Sequence, residues 1–216
     1  MLTGQRPSVL LYDWDNTLVD GWAGIAAALN AAFKAFGHSL WSVEDTRNRV
    51  RVSLRESFPV MFGERWEYAR DIFYQALTVQ HLDHVTAMLG VPDVLEAGAA
   101  WPQGVVSNKA GSFLRREVTH LGWTRFFGSI IGAGDATADK PDPAPLHLAL
   151  SQLGRSADLS VWYMGDTTLD MQAARAAGVT AVLIGNADHD GGVERAAPHL
   201  HFPSAQDLRA RLRDLA

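Results

Sequence analysis

The stretch VLLYDWDNTLVDGW, residues 9–22, decides how the rest of the chain is interpreted. Its apolar run, Val9–Tyr12, predicts a buried strand that ends abruptly in two carboxylates, Asp13 and Asp15. Placing two carboxylates beside a hydrophobic strand is unfavourable unless other groups offset their charge. The stretch therefore predicts that partners for these two acids are supplied from elsewhere in the chain.

Further strands and helices are predicted downstream of this stretch. Short apolar runs predict buried strands at Gly104–Val106, Ser129–Ile131, Val161–Met164 and Ala181–Ile184. Amphipathic patterns predict helices over 111–122, 143–153 and 168–177, ending at Gly122, Gly154 and Gly178. This alternation favours an α/β fold, a doubly wound parallel sheet of Rossmann-like type with helices on both faces.

One region interrupts the alternation. Residues 20–86 show no strand pattern and predict an inserted α-helical cap, with helices over 22–37, 43–57 and 64–86. The α/β core is then formed by residues 1–19 and 87–216. The last residues predict a closing amphipathic helix with Ser204 as its N-terminal cap.

Composition narrows the possible partners. Lys and Arg number 19 against 24 Asp and Glu, and the net charge of −5 without a basic tract gives no reason to expect nucleic acid. Cysteine is absent, which fits a reducing compartment, and no apolar run reaches the length of a membrane span. We expect a cytoplasmic protein, monomeric or dimeric, that acts on a small molecule.

Polar side chains follow four of the predicted strands, and ligands of doubly wound sheets bind beyond such strand ends. These residues are Asp13, Asp15 and Thr17, then Ser107, Asn108 and Lys109, then Lys140, and finally Asp166, Thr167, Thr168 and Asp170. Carboxylates without soft ligands suit Mg²⁺, while a hydroxyl and an ammonium suit phosphoryl oxygens. An aspartate there can act as a nucleophile, and a second carboxylate two residues on can transfer protons.

The segments DWDNTLVD, VVSNK, DKPDP and GDTTLD, in this order and spacing, resemble the four motifs of the haloacid dehalogenase superfamily. The match is closest to phosphoglycolate phosphatase-like members that carry a helical cap after the first motif. The resemblance implies a Mg²⁺-dependent phosphatase that hydrolyses a small phosphorylated metabolite through an aspartyl-phosphate. Phosphoglycolate is the first substrate that it suggests.

The resemblance also implies a role for each matching residue. Asp13 is expected to be the nucleophile and a metal ligand, and Asp15 the general acid/base, which binds the metal through its backbone carbonyl. Asp166 is expected to be a further metal ligand, with Asp170 close to the metal. Thr17, Ser107, Asn108 and Lys140 are expected to bind the phosphoryl group, Lys140 also contacting Asp13. The superfamily's dehalogenases lack an acid at the position of Asp15, so phosphoryl chemistry is favoured over carbon–halogen cleavage.

Two features are particular to this chain. Asn16 stands where the relatives usually have Gly, and it tolerates a positive φ better than other side chains. Trp14 is expected to add bulk beside the site and to influence what enters. In the cap, a helix over 43–57 would place Arg47, Arg51 and Arg55 on one face. That face is either solvated, with Asp45 pairing with Arg49, or contacts an anionic group of the substrate.

Three alternatives to the phosphatase remain at this point. A phosphomutase of the same fold would use the same residues but return the phosphoryl group to a sugar. A signalling receiver also combines clustered acids, a hydroxyl and a lysine, although receivers are shorter and have no helical insertion. A non-catalytic binding protein would need to have lost catalytic residues, and all the expected acids are present.

Overall fold

A computed structural model describes residues 6–50, 54–80, 82 and 85–216, and it describes residues 54–56 and 78–80 by their backbone alone. The chain divides into two compact units. The larger unit consists of Met1–Val19 and Ala87–Ala216, and the smaller unit is Asp20–Thr86. Among the described residues, no helix has the length and apolar character needed to cross a membrane.

The larger unit is built on a parallel sheet. The β-strands, in chain order, are Val9–Tyr12 (β1), Val19–Asp20 (β2), Thr86–Ala87 (β3), Gln103–Ala110 (β4), Ser129–Ala133 (β5), Val161–Gly165 (β6), Thr180–Ile184 (β7) and Leu200–Phe202 (β8). Six of them form one sheet in the order β5-β4-β1-β6-β7-β8, and every pairing in it is parallel. The predicted doubly wound α/β fold is confirmed.

Strand β1 lies at the point where the strand order reverses. It pairs with β4 on one side and with β6 on the other, and Tyr12 is in register with Val105 and Met164. The carboxyl ends of these three strands are therefore neighbours. In sheets of this kind the crevice beyond such a reversal is where ligands bind.

The α-helices cover the sheet and build the smaller unit. In chain order they are Trp22–Phe36 (α1), Val43–Arg49 (α2), Leu54–Phe62 (α3), Trp66–Gln80 (α4), Val91–Ala97 (α5), Gly111–His120 (α6), Ala144–Gln152 (α7), Thr168–Ala176 (α8), Gly192–Ala196 (α9) and Ala205–Leu215 (α10). The three predicted helix ends in the core hold, because Gly122, Gly154 and Gly178 have φ of 70°, 66° and 72°. Ser204 caps α10 as predicted, accepting a hydrogen bond from the backbone N–H of Asp207.

Both faces of the sheet are buried, which explains why β1 is apolar throughout. Val9 and Leu11 belong to a core cluster that includes residues of α7 and α8. The alternate residue Tyr12 faces the other way, and its hydroxyl donates to the Gln103 side chain at 3.0 Å. The Gln103 amide in turn donates to the backbone carbonyl of Leu95 in α5.

The smaller unit has a core of its own. Helices α1, α3 and α4 contribute a buried cluster that is rich in phenylalanine: Ala28, Leu29, Ala32, Phe33, Phe58, Phe62, Ala69 and Phe73. Phe58 and Phe73 meet edge to face, with their ring centroids 5.6 Å apart. The helical character predicted for this region is therefore present, although its helix boundaries differ from the prediction.

The predicted helix over 43–57 is wrong. Helix α2 ends at Arg49 because Val50 is extended, with φ −77° and ψ 103°, and α3 begins only at Leu54. Arg47 and Arg55 thus lie on different helices rather than on one face. Arg51 and the side chain of Arg55 lie outside the described residues.

The described side chains of α2 agree with a solvated helix face. The predicted pair of Asp45 with Arg49 is confirmed at 3.2 Å, and both side chains are substantially exposed. Arg47 lies 4.0 Å from Asp20, also in an exposed pair. Pairs of this kind contribute little to stability.

Other boundaries also shift. The helix predicted over 64–86 begins at Trp66, after a 3₁₀ turn at Gly63–Arg65, and it ends at Gln80. Asp20 and Thr86 belong to the short paired strands β2 and β3, so the prediction of no strand between 20 and 86 is wrong at both ends. Strands of two residues are too short to show an alternating pattern, and for the same reason β8 was not predicted.

Candidate active site

Lys140 is the cation at the centre of the candidate site. Its Nζ donates hydrogen bonds to Asp13 Oδ1 at 2.7 Å, Asp170 Oδ1 at 2.7 Å and Tyr163 Oη at 2.8 Å. All these side chains are buried, and Lys140 is 5% exposed. The structure thus places beside Asp13 the ammonium group that the sequence predicted for it.

The end of β6 and the start of α8 hold Asp170. Thr167 and Asp170 form a capping box, in which the Asp170 carboxylate accepts bonds from the backbone N–H and the hydroxyl of Thr167 at 3.1 and 2.6 Å. Tyr163 in β6 also lies 3.1 Å from Asp170, and its hydroxyl is 2.9 Å from the carbonyl of Val106 in β4. Asp170 therefore takes part in capping α8 and also supplies a carboxylate to the site.

Asp166 lies on the other side of the cluster. Its Oδ1 accepts a hydrogen bond from the Thr17 hydroxyl at 3.1 Å, which links the first motif to the fourth. Its Oδ2 lies 3.2 Å from His189 Nε2, on the loop that follows β7. The Thr17 hydroxyl is therefore oriented by a carboxylate of the fourth motif, and its contact with the phosphoryl group stays a prediction.

Three carboxylates form a set that fits a hard cation. One oxygen each from Asp13, Asp166 and Asp170 lies within 4.8 Å of the others, and all three residues are at most 7% exposed. Lys140 supplies a single positive charge against these three acids. Buried carboxylates need compensation, and an all-oxygen donor set is what Mg²⁺ prefers. The donor set therefore fits the predicted divalent metal, with Asp13 and Asp166 as predicted and Asp170 beside them.

The charge imbalance shifts the pKa of these acids. The pKa of Asp13 is raised to about 8, first by burial and then by Asp170 and Asp166, and Lys140 only partly offsets this rise. Burial also raises the pKa of Asp166, despite its contact with His189. Burial acts in the same direction on Asp170, but Lys140 and the hydrogen bonds from Thr167 outweigh it and lower the pKa. A cation bound here would favour the ionised form of Asp13.

The second motif connects the strand ends through Asn108. Its side-chain amide donates to the carbonyl of Lys140 at 2.9 Å and accepts from the N–H of Lys140 at 3.0 Å. This two-bond clamp fixes the backbone from which the Lys140 side chain projects. Ser107 is 5% exposed, and its hydroxyl oxygen accepts a bond from the backbone N–H of Lys109 at 3.1 Å.

Asp15 is held by a separate set of contacts. Lys109 Nζ donates to Asp15 Oδ1 at 2.8 Å and to both carboxylate oxygens of Glu117, at 2.8 and 2.7 Å. The Asp15 side chain is 26% exposed, whereas that of Glu117 is 2% exposed. Asp15 therefore reaches the surface of the site while its partner network lies behind it.

Trp14 does not line the entrance to the site, although its bulk suggested that it would. Its side chain is fully buried, its Nε1 donates to Glu117 Oε2 at 2.5 Å, and it packs edge to face on Trp123 at 5.7 Å. The indole is held by Glu117, which also binds the Lys109 that contacts Asp15, so Trp14 packs behind the site rather than at its surface. The expectation that Trp14 influences what enters is wrong.

Asn16 occupies the left-handed region, as the sequence predicted. Its φ is 63°, and its backbone N–H donates to the carbonyl of Val19 at 2.7 Å. The N–H groups of Leu18 and Val19 both bond to the carbonyl of Trp14, at 2.9 and 3.1 Å. The chain thereby turns sharply after Asp15, and the turn survives the replacement of Gly by Asn.

The roles of Tyr163, His189 and Glu117 were not predicted from the sequence, and Lys109 was noted without a role. Tyr163 lies inside an apolar strand run, and Glu117 lies in an ordinary amphipathic helix pattern. Tyr163 therefore shows no local signal of its role. An acid on the inward face of a predicted helix was the one available signal for Glu117, because buried acids require a partner.

The fold and these contacts define an α/β protein with a buried cluster of carboxylates and a lysine at the carboxyl ends of its central strands. The family model of the haloacid dehalogenase-like hydrolases matches residues 10–184, and the chain belongs to that family. The resemblance inferred from the four motifs is thereby confirmed.

Individual relatives agree with the family. The chain is 33% identical to a phosphoglycolate phosphatase of Pectobacterium atrosepticum over 187 residues, which cover 80% of this chain and 78% of the relative. It is 30% identical to a phosphoglycolate phosphatase of Xanthomonas campestris pv. campestris over 188 residues, 82% of each chain.

Solved structures give the same result for the fold. A HAD-superfamily hydrolase of Ehrlichia chaffeensis matches with a TM-score of 0.68 and 25% identity, covering 98% of both chains. A haloacid dehalogenase-like family protein of Streptococcus pneumoniae matches with a TM-score of 0.83 and 21% identity, covering 97% of this chain and 99% of the other.

Proposed function

We propose that this protein is a Mg²⁺-dependent phosphatase that hydrolyses a small phosphorylated metabolite through a phosphorylated Asp13. The observation that carries the proposal is the buried arrangement of Lys140 against Asp13 and Asp170, with Asp166 completing the acid cluster. It combines a positioned nucleophile, a fixed positive charge and a hard-cation donor set at the carboxyl ends of β1 and β6.

The prediction of a phosphoric monoester hydrolase is confirmed by the family and by the curated relatives. Phosphoglycolate is the substrate that we propose to test first, because the relatives at 30 and 33% identity are phosphoglycolate phosphatases. We further propose that the smaller unit, Asp20–Thr86, is the cap that selects the leaving group. A cytoplasmic location and a monomeric or dimeric state stay predictions from the sequence.

In the first step, an Asp13 carboxylate oxygen attacks phosphorus as the bond from phosphorus to the ester oxygen breaks. The leaving oxygen takes the electron pair of that bond and a proton from Asp15. Lys140 orients Asp13 and offsets negative charge on the phosphoryl oxygens. Ser107 and the backbone of Asn108 hold the phosphoryl group in this proposal.

In the second step, water attacks the phosphorus of the aspartyl-phosphate. Asp15 accepts a proton from that water, and the bond between phosphorus and Asp13 breaks to release inorganic phosphate. Asp15 thereby returns to its protonated form. Its partial exposure suits this role, because it can reach both the leaving group and the water.

Asp13, Asp166 and the backbone carbonyl of Asp15 would hold the Mg²⁺, with Asp170 close to it. When bound, the ion supplies positive charge that offsets the phosphoryl oxygens and the acid cluster. The identity of the metal belongs to the proposal and rests on the all-oxygen donor set.

A panel of phosphorylated metabolites, assayed for inorganic phosphate with and without Mg²⁺, tests this function. We expect turnover of at least one small phosphomonoester that EDTA abolishes, and loss of turnover in Asp13→Asn. Asp71→Asn, an exchange on the exposed face of α4, is the matched control and should keep full activity. An Asp13→Asn variant with full activity would refute the nucleophile.

The same panel distinguishes the phosphomutase alternative. A mutase would need a sugar bisphosphate as activator and would return the phosphoryl group to the sugar. Release of inorganic phosphate without any bisphosphate argues against it. A long-lived phosphoenzyme without turnover of any substrate would instead favour the receiver alternative.

A further inference from the structure

Glu117 is a buried acid that the proposed reaction does not use directly. It lies on α6, outside the four motifs, and its side chain is 2% exposed. Both of its oxygens accept bonds from Lys109 Nζ, and Oε2 also accepts the Trp14 indole N–H. Buried charged pairs contribute little to stability compared with well-packed apolar residues, so such a cluster invites a functional explanation.

The cluster reaches Asp15 by two routes. Through Lys109, Glu117 fixes the Asp15 carboxylate itself, because Lys109 Nζ lies 2.8 Å from Asp15 Oδ1. Through Trp14, Glu117 fixes the residue directly before Asp15 in the chain. One buried carboxylate therefore constrains both the side chain and the backbone of the proposed proton donor.

The contacts of Lys109 with Asp15 and Glu117 are separate from the contacts of Lys140 in the acid cluster. Lys140 serves Asp13 and Asp170, while Lys109 serves Asp15 and Glu117. Each of the two acids in the first motif thus has its own lysine, Lys109 from the end of β4 and Lys140 from the loop between β5 and α7. Each lysine is also anchored by a second buried acid. The duplication indicates that the two acids are positioned independently.

We propose that Glu117 and Lys109 are positioning residues for the proton transfer by Asp15. This inference rests on the proposed phosphatase function. The pair holds the Asp15 carboxyl group where it can give its proton to the leaving oxygen as the phosphorus–oxygen bond breaks. Trp14 supports the pair from behind, which explains a tryptophan between the two acids.

The choice of leaving group separates this role from a general loss of structure. An alkoxide leaving group, as in phosphoglycolate, needs a proton as it departs. The p-nitrophenolate group leaves readily without one. Because kcat/KM covers the steps up to formation of the phosphoenzyme, it reports the proton donation for the alkyl ester and barely depends on it for the aryl ester.

The test measures kcat/KM of Lys109→Met and Glu117→Gln for an alkyl phosphate and for p-nitrophenyl phosphate. General acid catalysis contributes about 10²–10⁴-fold, so we expect a loss of at least about tenfold for the alkyl ester from misplacing the acid. The aryl ester should lose less than about threefold. Asp15→Asn should show the same selective loss, and Lys109→Arg should recover part of it.

Two further comparisons make the result decisive. Arg115→Met removes another ion pair from α6, the one with Asp135, and should leave the ratio of alkyl to aryl kcat/KM unchanged. In the Asp15→Asn background, Lys109→Met should not lower the ratio further, because the group it positions is already gone. If Glu117→Gln fails to fold, the more exposed Lys109 carries the test.

Equal losses for both esters in Lys109→Met, or no loss, would overturn the inference and leave the proposed function intact. A wild-type protein that hydrolyses neither ester, nor any other phosphomonoester, would refute the proposed function and the inference with it. A selective loss that also appears in Arg115→Met would show that the ratio responds to α6 in general, and it would overturn the positioning role.

Discussion

Replacing Lys140 with Met isolates the electrostatic contribution of the buried lysine. The Lys140 ammonium makes three hydrogen bonds of 2.7–2.8 Å, two of them to carboxylates, in a residue that is 5% exposed. Methionine fills nearly the same volume, so the cavity contribution is small. Removing one partner of a buried ion pair costs about 3–5 kcal/mol, and we expect a loss of that size in the metal-free protein at pH 8.

The pH dependence of that loss provides an internal check. Lys140 lowers the pKa of Asp170 in the folded state, so its removal lets that pKa rise, while the pKa in the unfolded chain stays near 4. A raised pKa in the folded state means that stability falls as the pH rises above the unfolded value. The loss should therefore be larger at pH 8 than at pH 5, and saturating Mg²⁺ should restore part of it.

Equilibrium unfolding in urea measures this loss, with tryptophan fluorescence and circular dichroism compared because the chain has two units. Lys34→Met, a change of an exposed lysine, should alter stability by less than about 0.5 kcal/mol. A loss below about 1 kcal/mol in Lys140→Met at pH 8, or one that is equal at pH 5, would refute the reasoning, whose magnitude comes from the cost of unpaired buried charge.

Three further predictions concern the acid cluster and the turn after it. Mg²⁺ should raise Tm by several degrees, because a ligand that binds only the folded state stabilises it. Asp166→Asn should abolish this increase in Tm, whereas Asp214→Asn, the control at an exposed position, should keep it. The pKa of Asp13 is about 8, and the ion binds the ionised carboxylate. Calorimetry should therefore show that the affinity for Mg²⁺ decreases as the pH is lowered from 8, and that binding releases protons. An affinity that stays constant between pH 6 and 8 would contradict this. Asn16 has a φ of 63°, a backbone conformation that strains a β-branched residue but not glycine. Asn16→Val should therefore lower the free energy of unfolding by about 1–3 kcal/mol, whereas Asn16→Gly should not lower it. Equal effects of the two substitutions in urea unfolding would contradict the backbone explanation.

The sequence predicted the sheet and the main acids because their signals are local. Each apolar run that ends in a polar residue marks a strand end, and the topology of a parallel sheet brings such ends together. Asp13, Asp166 and Lys140 were identified in this way, and the structure places them side by side. The turn at Asn16 was predictable for the same reason, since Asn is the side chain that best tolerates positive φ.

The sequence could not predict the contacts that depend on how elements pack. Glu117 on α6 meets Trp14, just beyond β1, through tertiary packing, and no spacing rule relates positions 14 and 117. The break between α2 and α3 was missed because no Gly or Pro marks Val50 or its neighbours. The expected place of Trp14 was wrong because its bulk was considered without the buried bond to Glu117, which only the packing of α6 reveals.

Trapping the phosphoenzyme tests the central claim most directly. The protein is mixed with Mg²⁺ and a phosphomonoester that it hydrolyses, and the reaction is then quenched. Treatment with borohydride reduces an aspartyl-phosphate to homoserine. Mass spectrometry of the peptides should then find homoserine at position 13, and Asp13→Asn should yield none. An active enzyme that gives homoserine at another aspartate, or at none, would contradict the assignment of Asp13 as the nucleophile.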